Sequence, residues 1–327
     1  MKRKKSLLRC VEPYLYLLPA VVLFVLFVYY PFLKNEVLSF FTLDKFRTVK
    51  GFAGIQNYVR VFGDEKFLLA VKNTLVYVAV TVPVSMVLGY FLALLCRKKR
   101  KSSFVYEAMF ALPMAVSASV VAMIFQLAYN PSMGIINKLT GLNVNWLSDQ
   151  KLALISIMIV QIWANVGYNF IFILSGVRGL SEEVMESAAI DGVSGIQMQT
   201  KIILPMLSPT LLFLLVKDVA YAITTASFTL IMTEGGPNGA TETMISYIYK
   251  KAITGTNYNA AFAATTVCFV LSALMMALSM ALEGKTRNEQ MIVRMKQMLE
   301  RTVWALTNQL KAGDFVPEAY ELRFFGG

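Results

Sequence analysis

There is no histidine anywhere in this chain of 327 residues. That removes histidine-based catalytic triads and histidine metal sites from consideration, and with them most hydrolytic chemistry. Cysteine is almost as scarce: Cys10, Cys96 and Cys268 are odd in number and far apart, which gives neither a metal-ligand spacing nor a disulfide framework. No glycine-rich phosphate loop of the Walker type occurs, so ATP, if it drives this protein, must be bound by another subunit. Charge is also thin, at 16% of residues against 57% hydrophobic and a mean hydropathy of +0.58. Soluble domains sit near roughly 45–50% apolar and about 25% charged, so this composition belongs to an integral membrane protein. No short tandem repeat and no similarity between halves is visible.

The charge that is present is basic, a net +11, and its position matters more than its size. It clusters beside apolar runs, at Lys2-Arg3-Lys4-Lys5 and at Arg97-Lys98-Lys99-Arg100-Lys101. That is the footprint of cytoplasmic loops rather than of a groove for nucleic acid. Six apolar segments can be counted, at about residues 13–33, 69–95, 104–129, 152–174, 206–232 and 260–282, each near the ~20 residues a bilayer requires. Pro113 falls inside the third and is expected to be tolerated there, its freed carbonyl satisfied by neighbouring helices. The first segment reads as an uncleaved span rather than a signal peptide. With the basic runs inside, the expectation is an all-α membrane protein of about six transmembrane helices, multi-pass in a bacterial cytoplasmic membrane, with both termini cytoplasmic. Its parts are a basic N-terminus (1–12), a transmembrane domain (13–283) and an extension (284–327). In that extension Ile292, Met295, Leu299, Val303, Leu306 and Leu310 repeat at helical spacing. An amphipathic helix on the membrane surface or on a partner, and a neutral appendage, are both open there.

The most informative loop lies between the fourth and fifth spans. Ser181 can cap a helix whose first turn carries Glu182 and Glu183, where acids are favoured. The helix is expected to run to about Asp191 and stop at Gly192, a residue that takes the left-handed C-terminal conformation readily. Ser194 and Gln197 can form a capping box for a second helix, and Pro205 is expected to separate it from the next span. Val184, Met185, Ala188 and Ala189 would be available to meet a partner. The pattern Glu186-Ser187-Ala188, three residues, Gly192, nine residues, Ile202, one residue, Leu204-Pro205 resembles the cytoplasmic signature loop of ABC-importer permeases, with Ser187 where that family usually has alanine. Outside the membrane, Gly54-Ile55-Gln56-Asn57-Tyr58, Asn73-Thr74, Glu234-Gly235-Gly236-Pro237-Asn238-Gly239, Thr241-Glu242-Thr243 and Tyr247-Ile248-Tyr249 resemble that family's carbohydrate-uptake members of the maltose and glycerol-phosphate type.

The resemblance, over residues 13–283, implies a permease subunit that catalyses no reaction. It implies a heterodimer with a second permease, a separate ABC ATPase dimer that binds the ATP and Mg, an extracytoplasmic solute-binding protein, and a sugar-like substrate or polyol. No cofactor would be bound by this chain. Glu186 would contact the ATPase and Gly192 would make the turn.

A sugar pathway needs hydroxyl and amide partners with aromatic faces. Gln161, Trp163, Asn165, Tyr168 and Asn169 in the fourth span offer them, as do Tyr221, Thr224, Thr225 and Ser227 in the fifth. Any one of these could instead hydrogen-bond between helices. Lys217 and Asp218 lie deep in the fifth span, where charges face a partner or a cavity. About 100° apart on the helix, they are not expected to line up on one face. An ion pair across the subunit interface, and recognition of a charged sugar or sugar phosphate by Lys217, are both open. A secondary transporter would show paired acids in its spans, yet only Asp218 qualifies. An embedded enzyme would show a nucleophile–base or metal constellation, and none is visible. A structural or assembly subunit would carry no transport pathway, and uptake after substitution of the polar positions on the fourth and fifth spans distinguishes it.

Overall fold

The computed structural model describes residues 7–193 and 195–281. The basic residues at 2–5, the proposed cap at Ser194 and the amphipathic pattern of 284–327 lie outside these. Among the described residues, five helical stretches are long and apolar enough to cross a membrane, and six if one sharply bent pair counts as a single span.

The first span is α1 (Leu7–Phe24) and α2 (Tyr30–Leu38), joined through a π turn at Val25–Tyr29. From Tyr14 to Tyr30 its surface is exposed in the isolated chain, while Phe32 meets Phe269 of the last span with ring centres 4.8 Å apart. A short hairpin of β1 (Phe41–Leu43) and β2 (Val49–Phe52) follows. It is pinned by Asn259, whose side chain accepts from the Leu43 amide at 2.7 Å and donates to its carbonyl at 3.1 Å. Helix α3 (Gln56–Phe62) leads to α4 (Glu65–Leu95), which begins where Asp64 accepts a hydrogen bond from the Lys66 amide at 3.0 Å.

The third span departs from the expected single helix. Helix α5 (Ser103–Ala111) tightens into a 3₁₀ turn at Leu112–Ala115 and stops. Helix α6 (Ala118–Ala128) restarts at a bend of 99°. Pro113 cannot carry the hydrogen-bond ladder through, Val116 is extended, and Ser117 caps the new helix by accepting from the Val120 amide at 3.4 Å.

Helix α7 (Ile135–Thr140) precedes α8 (Leu152–Arg178), the central element, which packs against α4, α5, α6 and both helices of the fifth span. Close approach of α4 and α8 depends on Gly89, where a Cβ would fall 2.8 Å from that of Asn169. Helices α9 (Glu182–Ile190) and α10 (Gly195–Met198) form the loop, and α11 (Leu204–Thr224) and α12 (Ser227–Met232) form the fifth span.

Pro205 does not separate α10 from α11, contrary to the expectation. A π turn at Gln199–Ile203 carries one into the other, with the Leu204 amide bonded back to the Gln199 carbonyl. The widened turn opens the ladder just where the proline ring enters, as the turn before Pro31 does in the first span. The fifth span is instead interrupted at Thr225, which is extended with ψ of 119°. Helix α13 (Met244–Tyr249) lies in the last outer loop, capped reciprocally by Thr243 and Ser246, and α14 (Tyr258–Ala281) is the final span.

Candidate functional site

Two arrangements carry the candidate residues. The first is the loop after α8. Arg178, the last residue of that helix, donates to Glu107 Oε2 on α5 at 3.2 Å, to the Cys96 carbonyl at 2.8 Å and to the Arg97 carbonyl at 3.4 Å. One guanidinium thus ties together the ends of three spans before the chain turns into α9. Its planar fork of donors is suited to this in a way a lysine is not. Met185 and Ala188 of α9 are buried, and Met185 belongs to the apolar cluster that includes Ala93, Phe170, Ile173 and Leu207. They are therefore not the partner-facing surface expected of them. The apolar stripe of a short helix is claimed first by the core beneath it.

What remains outward is Val184, Glu186, Ser187, Ile190, Asp191 and Gly192. The helix ends as Gly192 requires, with φ of +75°. The Val193 amide returns to the Ala188 carbonyl at 3.0 Å and the Asp191 amide to the Ser187 carbonyl at 3.0 Å. Ile190 and Ile196 flank this turn at 86% and 80% exposure, a bare apolar tip on a fastened base. The returning helical segment is held by Tyr90 on α4, which donates to Gln199 Oε1 at 2.8 Å. Ile202, Leu204 and Pro205 are half-buried, and the neighbouring Ile203, which the sequence pattern did not single out, is the fully buried anchor.

The second arrangement is polar and lies between α4, α8 and α11. Gln161, Asn165 and Asn169 form one stripe on α8, and all are buried. Tyr77 donates to Gln161 Oε1 at 3.1 Å. Asn169 donates to Asp218 Oδ2 at 2.7 Å, and Ser85 donates to the same oxygen at 3.4 Å. Among the described residues, Gln161 Nε2, Asn165 Nδ2 and Asn169 Oδ1 find no hydrogen-bond partner. Each such atom costs about 1–3 kcal/mol unless something else meets it.

Lys217 and Asp218 do meet, at 2.9 Å between Nζ and Oδ1. The side chain of Lys217 bends back over the turn, which its length allows despite the angular separation, so the ion pair lies within this chain. Asp218 is fully buried, while the Lys217 side chain remains 24% exposed. Its ammonium lies 3.7 Å from the Tyr168 ring centre and 5.6 Å from that of Tyr221. Tyr168 in turn stacks on Phe172 at 4.5 Å.

The candidates thus divide. Gln161, Asn165 and Asn169 face inward, whereas Tyr168, Lys217, Tyr221, Thr225 and Ser227 are half-exposed along one side of α8 and the broken fifth span. Tyr77 and Ser85 were missed by a reading confined to the fourth and fifth spans. The signal was present as Thr74, Tyr77, Thr81 and Ser85, a buried polar stripe at helical spacing on α4.

Residues 85–288 match the family described as binding-protein-dependent transport system inner membrane component. The chain is 32% identical over 276 residues to the probable ABC transporter permease protein YurN of Bacillus subtilis, covering 82% of this chain and 94% of YurN. It is 30% identical over 264 residues to the sn-glycerol-3-phosphate transport system permease protein UgpA of Yersinia enterocolitica, covering 79% of this chain and 89% of UgpA. In fold it resembles a chain of a bacterial ABC transporter involved in the import of the acidic polysaccharide alginate. The TM-score there is 0.75 at 23% identity, over 86% of this chain and 98% of that one.

Proposed function

Because this chain belongs to the family of binding-protein-dependent transport inner-membrane components, we propose that it works as one permease of a heterodimer. The second permease completes the pathway, and a separate ABC ATPase dimer holds the ATP and Mg. An extracytoplasmic binding protein delivers a sugar or related polyol. In this reading both termini and the α8–α11 loop are cytoplasmic, as the basic run 97–101 favours, and the domain limits are 1–12, 13–283 and 284–327. The observation that carries it is the exposed tip of Ile190, Gly192 and Ile196 on a base fastened by Arg178 and Tyr90. A tip of that kind can enter a cleft on an ATPase and pass its movement to α8 and α11. Glu186, Ser187 and Asp191 supply polar contacts around it, while Ala188, Ile202, Leu204 and Pro205 hold its shape. The cleft's closure must favour one permease conformation over the other for the coupling to work.

The half-exposed set of Tyr168, Lys217, Tyr221, Thr225 and Ser227 is the proposed wall of the pathway, with the Gln161–Asn165–Asn169 stripe behind it. Lys217 spends one donor on Asp218 and presents the others between two tyrosine faces. That supports a substrate bearing a phosphate or carboxylate. UgpA and the alginate importer are both named for anionic cargo.

The test is purification from native membranes in mild detergent. Co-purification of an ATPase and a second permease, lost on combining Glu186→Lys with Gly192→Val, is the expected result. Recovery of this chain alone, with ion-driven uptake in vesicles lacking ATP, would overturn the reading.

A further inference from the structure

A groove of about 620 Å³ opens beside the loop just described, between α5 and the end of α8. Phe104, Ala108 and Ala111 line one wall, and Phe170, Ile171 and Leu174 the other. It runs from Arg178 inward to Phe170, roughly 12 Å at the helical rise per residue. The outer surface of α5 around it is apolar and exposed, as Phe104, Val105 and Met109 are. The basic run 97–101 lies at the Arg178 end of the groove, where Arg178 donates to the Arg97 carbonyl at 3.4 Å and the Arg100 amide donates to Ser103 Oγ, one residue before Phe104, at 2.6 Å.

We propose that this groove is a binding site for an anionic phospholipid of the cytoplasmic leaflet. An acyl chain lies along Phe104, Ala108 and Leu174, and the headgroup sits under Lys98, Lys99, Arg100 and Lys101. The charge balance selects the ligand. These four cations are exposed, and none has a carboxylate within ion-pair distance among the described residues. The acid lining the groove, Glu107, is already held by Arg178, which also spends donors on two carbonyls. A phosphate at the mouth therefore meets uncompensated positive charge, as in other basic pockets at the cytoplasmic side of membrane helices. The inference rests on the cytoplasmic placement of residues 97–101 but not on transport, and its test reads lipid directly.

The importer, purified with whatever subunits accompany it, is delipidated and exposed to phosphatidylglycerol or phosphatidylcholine. Retained lipid is counted by native mass spectrometry. Phosphatidylglycerol should be retained over phosphatidylcholine, and each charge removed in Lys98→Gln, Lys99→Gln and Lys101→Gln should weaken it about fivefold. Ala108→Phe, at an exposed position, should abolish retention while leaving the basic run intact. Equal retention of both lipids would overturn the site. So would loss in the glutamine variants with none in Ala108→Phe, which would mean surface attraction of headgroups only. A cysteine at position 108 that cross-links to a helix of the second permease would likewise displace the lipid from the proposal.

Discussion

Asn73 on α4 donates both protons of its amide to one outer loop, to the carbonyl of Gly239 at 2.9 Å and to that of Glu242 at 3.0 Å. The next residue, Thr74, accepts the Met244 amide at 2.9 Å. Two stretches of sequence that stand far apart, Asn73-Thr74 and the segment from Gly235 to Thr243, are therefore one structural unit. Asn73→Ala strands the buried Glu242 carbonyl and the half-buried Gly239 carbonyl and should cost about 1–3 kcal/mol. A lowered thermal midpoint in detergent, with faster hydrogen exchange across 239–244 and unchanged exchange in α9, is expected. Asn73→Asp should be worse than alanine, since it sets a carboxylate against two carbonyl oxygens.

The Lys217–Asp218 pair should behave as a unit. Removing one partner of a buried ion pair leaves an uncompensated charge and typically costs about 3–5 kcal/mol, whereas replacing both by apolar groups is far milder. The loss should be smaller for Asp218→Leu, because Lys217 is partly exposed and can reach water. Lys217→Met leaves Asp218 fully buried, with Asn169 and Ser85 as its remaining donors among the described residues. The double variant Lys217→Met with Asp218→Leu should be more stable than Lys217→Met alone. Additive losses in a double-mutant cycle would show that the two residues do not sense each other. If the pathway reading holds, the double variant folds but loses uptake of an anionic substrate.

Much of this was legible in the sequence, and the limits have physical causes. The apolar runs located the spans, because a bilayer leaves few alternatives for backbone hydrogen bonding. Gly192 was legible because a left-handed helix end favours one residue type. Pro113 was visible as a proline, but whether it kinks or breaks a span depends on the Ser117 cap beyond it and on Gly167 of α8, where a Cβ would fall 2.9 Å from the Phe110 carbonyl. The break at Thr225 carries neither glycine nor proline nearby, so only the packing of α12 against α6 reveals it. Met185 and Ala188 had the spacing of an apolar face, but spacing does not say whether a core or a partner covers that face. Lys217 and Asp218 were judged by helix angle alone, which ignores how far a lysine side chain reaches.

Asp64, at the outer start of α4, should give the chain a small acid sensitivity. Its burial pushes the carboxyl pKa up, but Lys251 at 2.9 Å, the Tyr247 hydroxyl at 2.8 Å and the Lys66 amide outweigh that and hold it below its ordinary value of 3.8. A depressed pKa contributes stability that is complete above the unfolded value and is lost as pH falls through the folded one. The difference in thermal midpoint between the native chain and Asp64→Asn should therefore be constant from neutrality down to about pH 5 and shrink below it. A difference that instead widened toward low pH would contradict the assignment.

Gly192 offers the sharpest test of the loop. Among the described residues a Cβ there would meet nothing within 4 Å, so a substitution acts through the backbone and not through collision. With φ at +75°, an ordinary residue costs about 1–2 kcal/mol and a β-branched one more, while asparagine is tolerated. The penalty falls on the turn that presents Ile190 and Ile196, not on the spans. Insertion in the membrane should then be unchanged in Gly192→Asn, Gly192→Ala and Gly192→Val. Transport-coupled ATP hydrolysis of the reconstituted importer should fall in that order, by about 5–30-fold for alanine and beyond measurement for valine. Valine and asparagine are of similar bulk but opposite tolerance for left-handed backbone. Equal activity of these two would mean that the shape of the turn does not matter, and would count against the proposed docking of Ile190 and Ile196 on an ATPase.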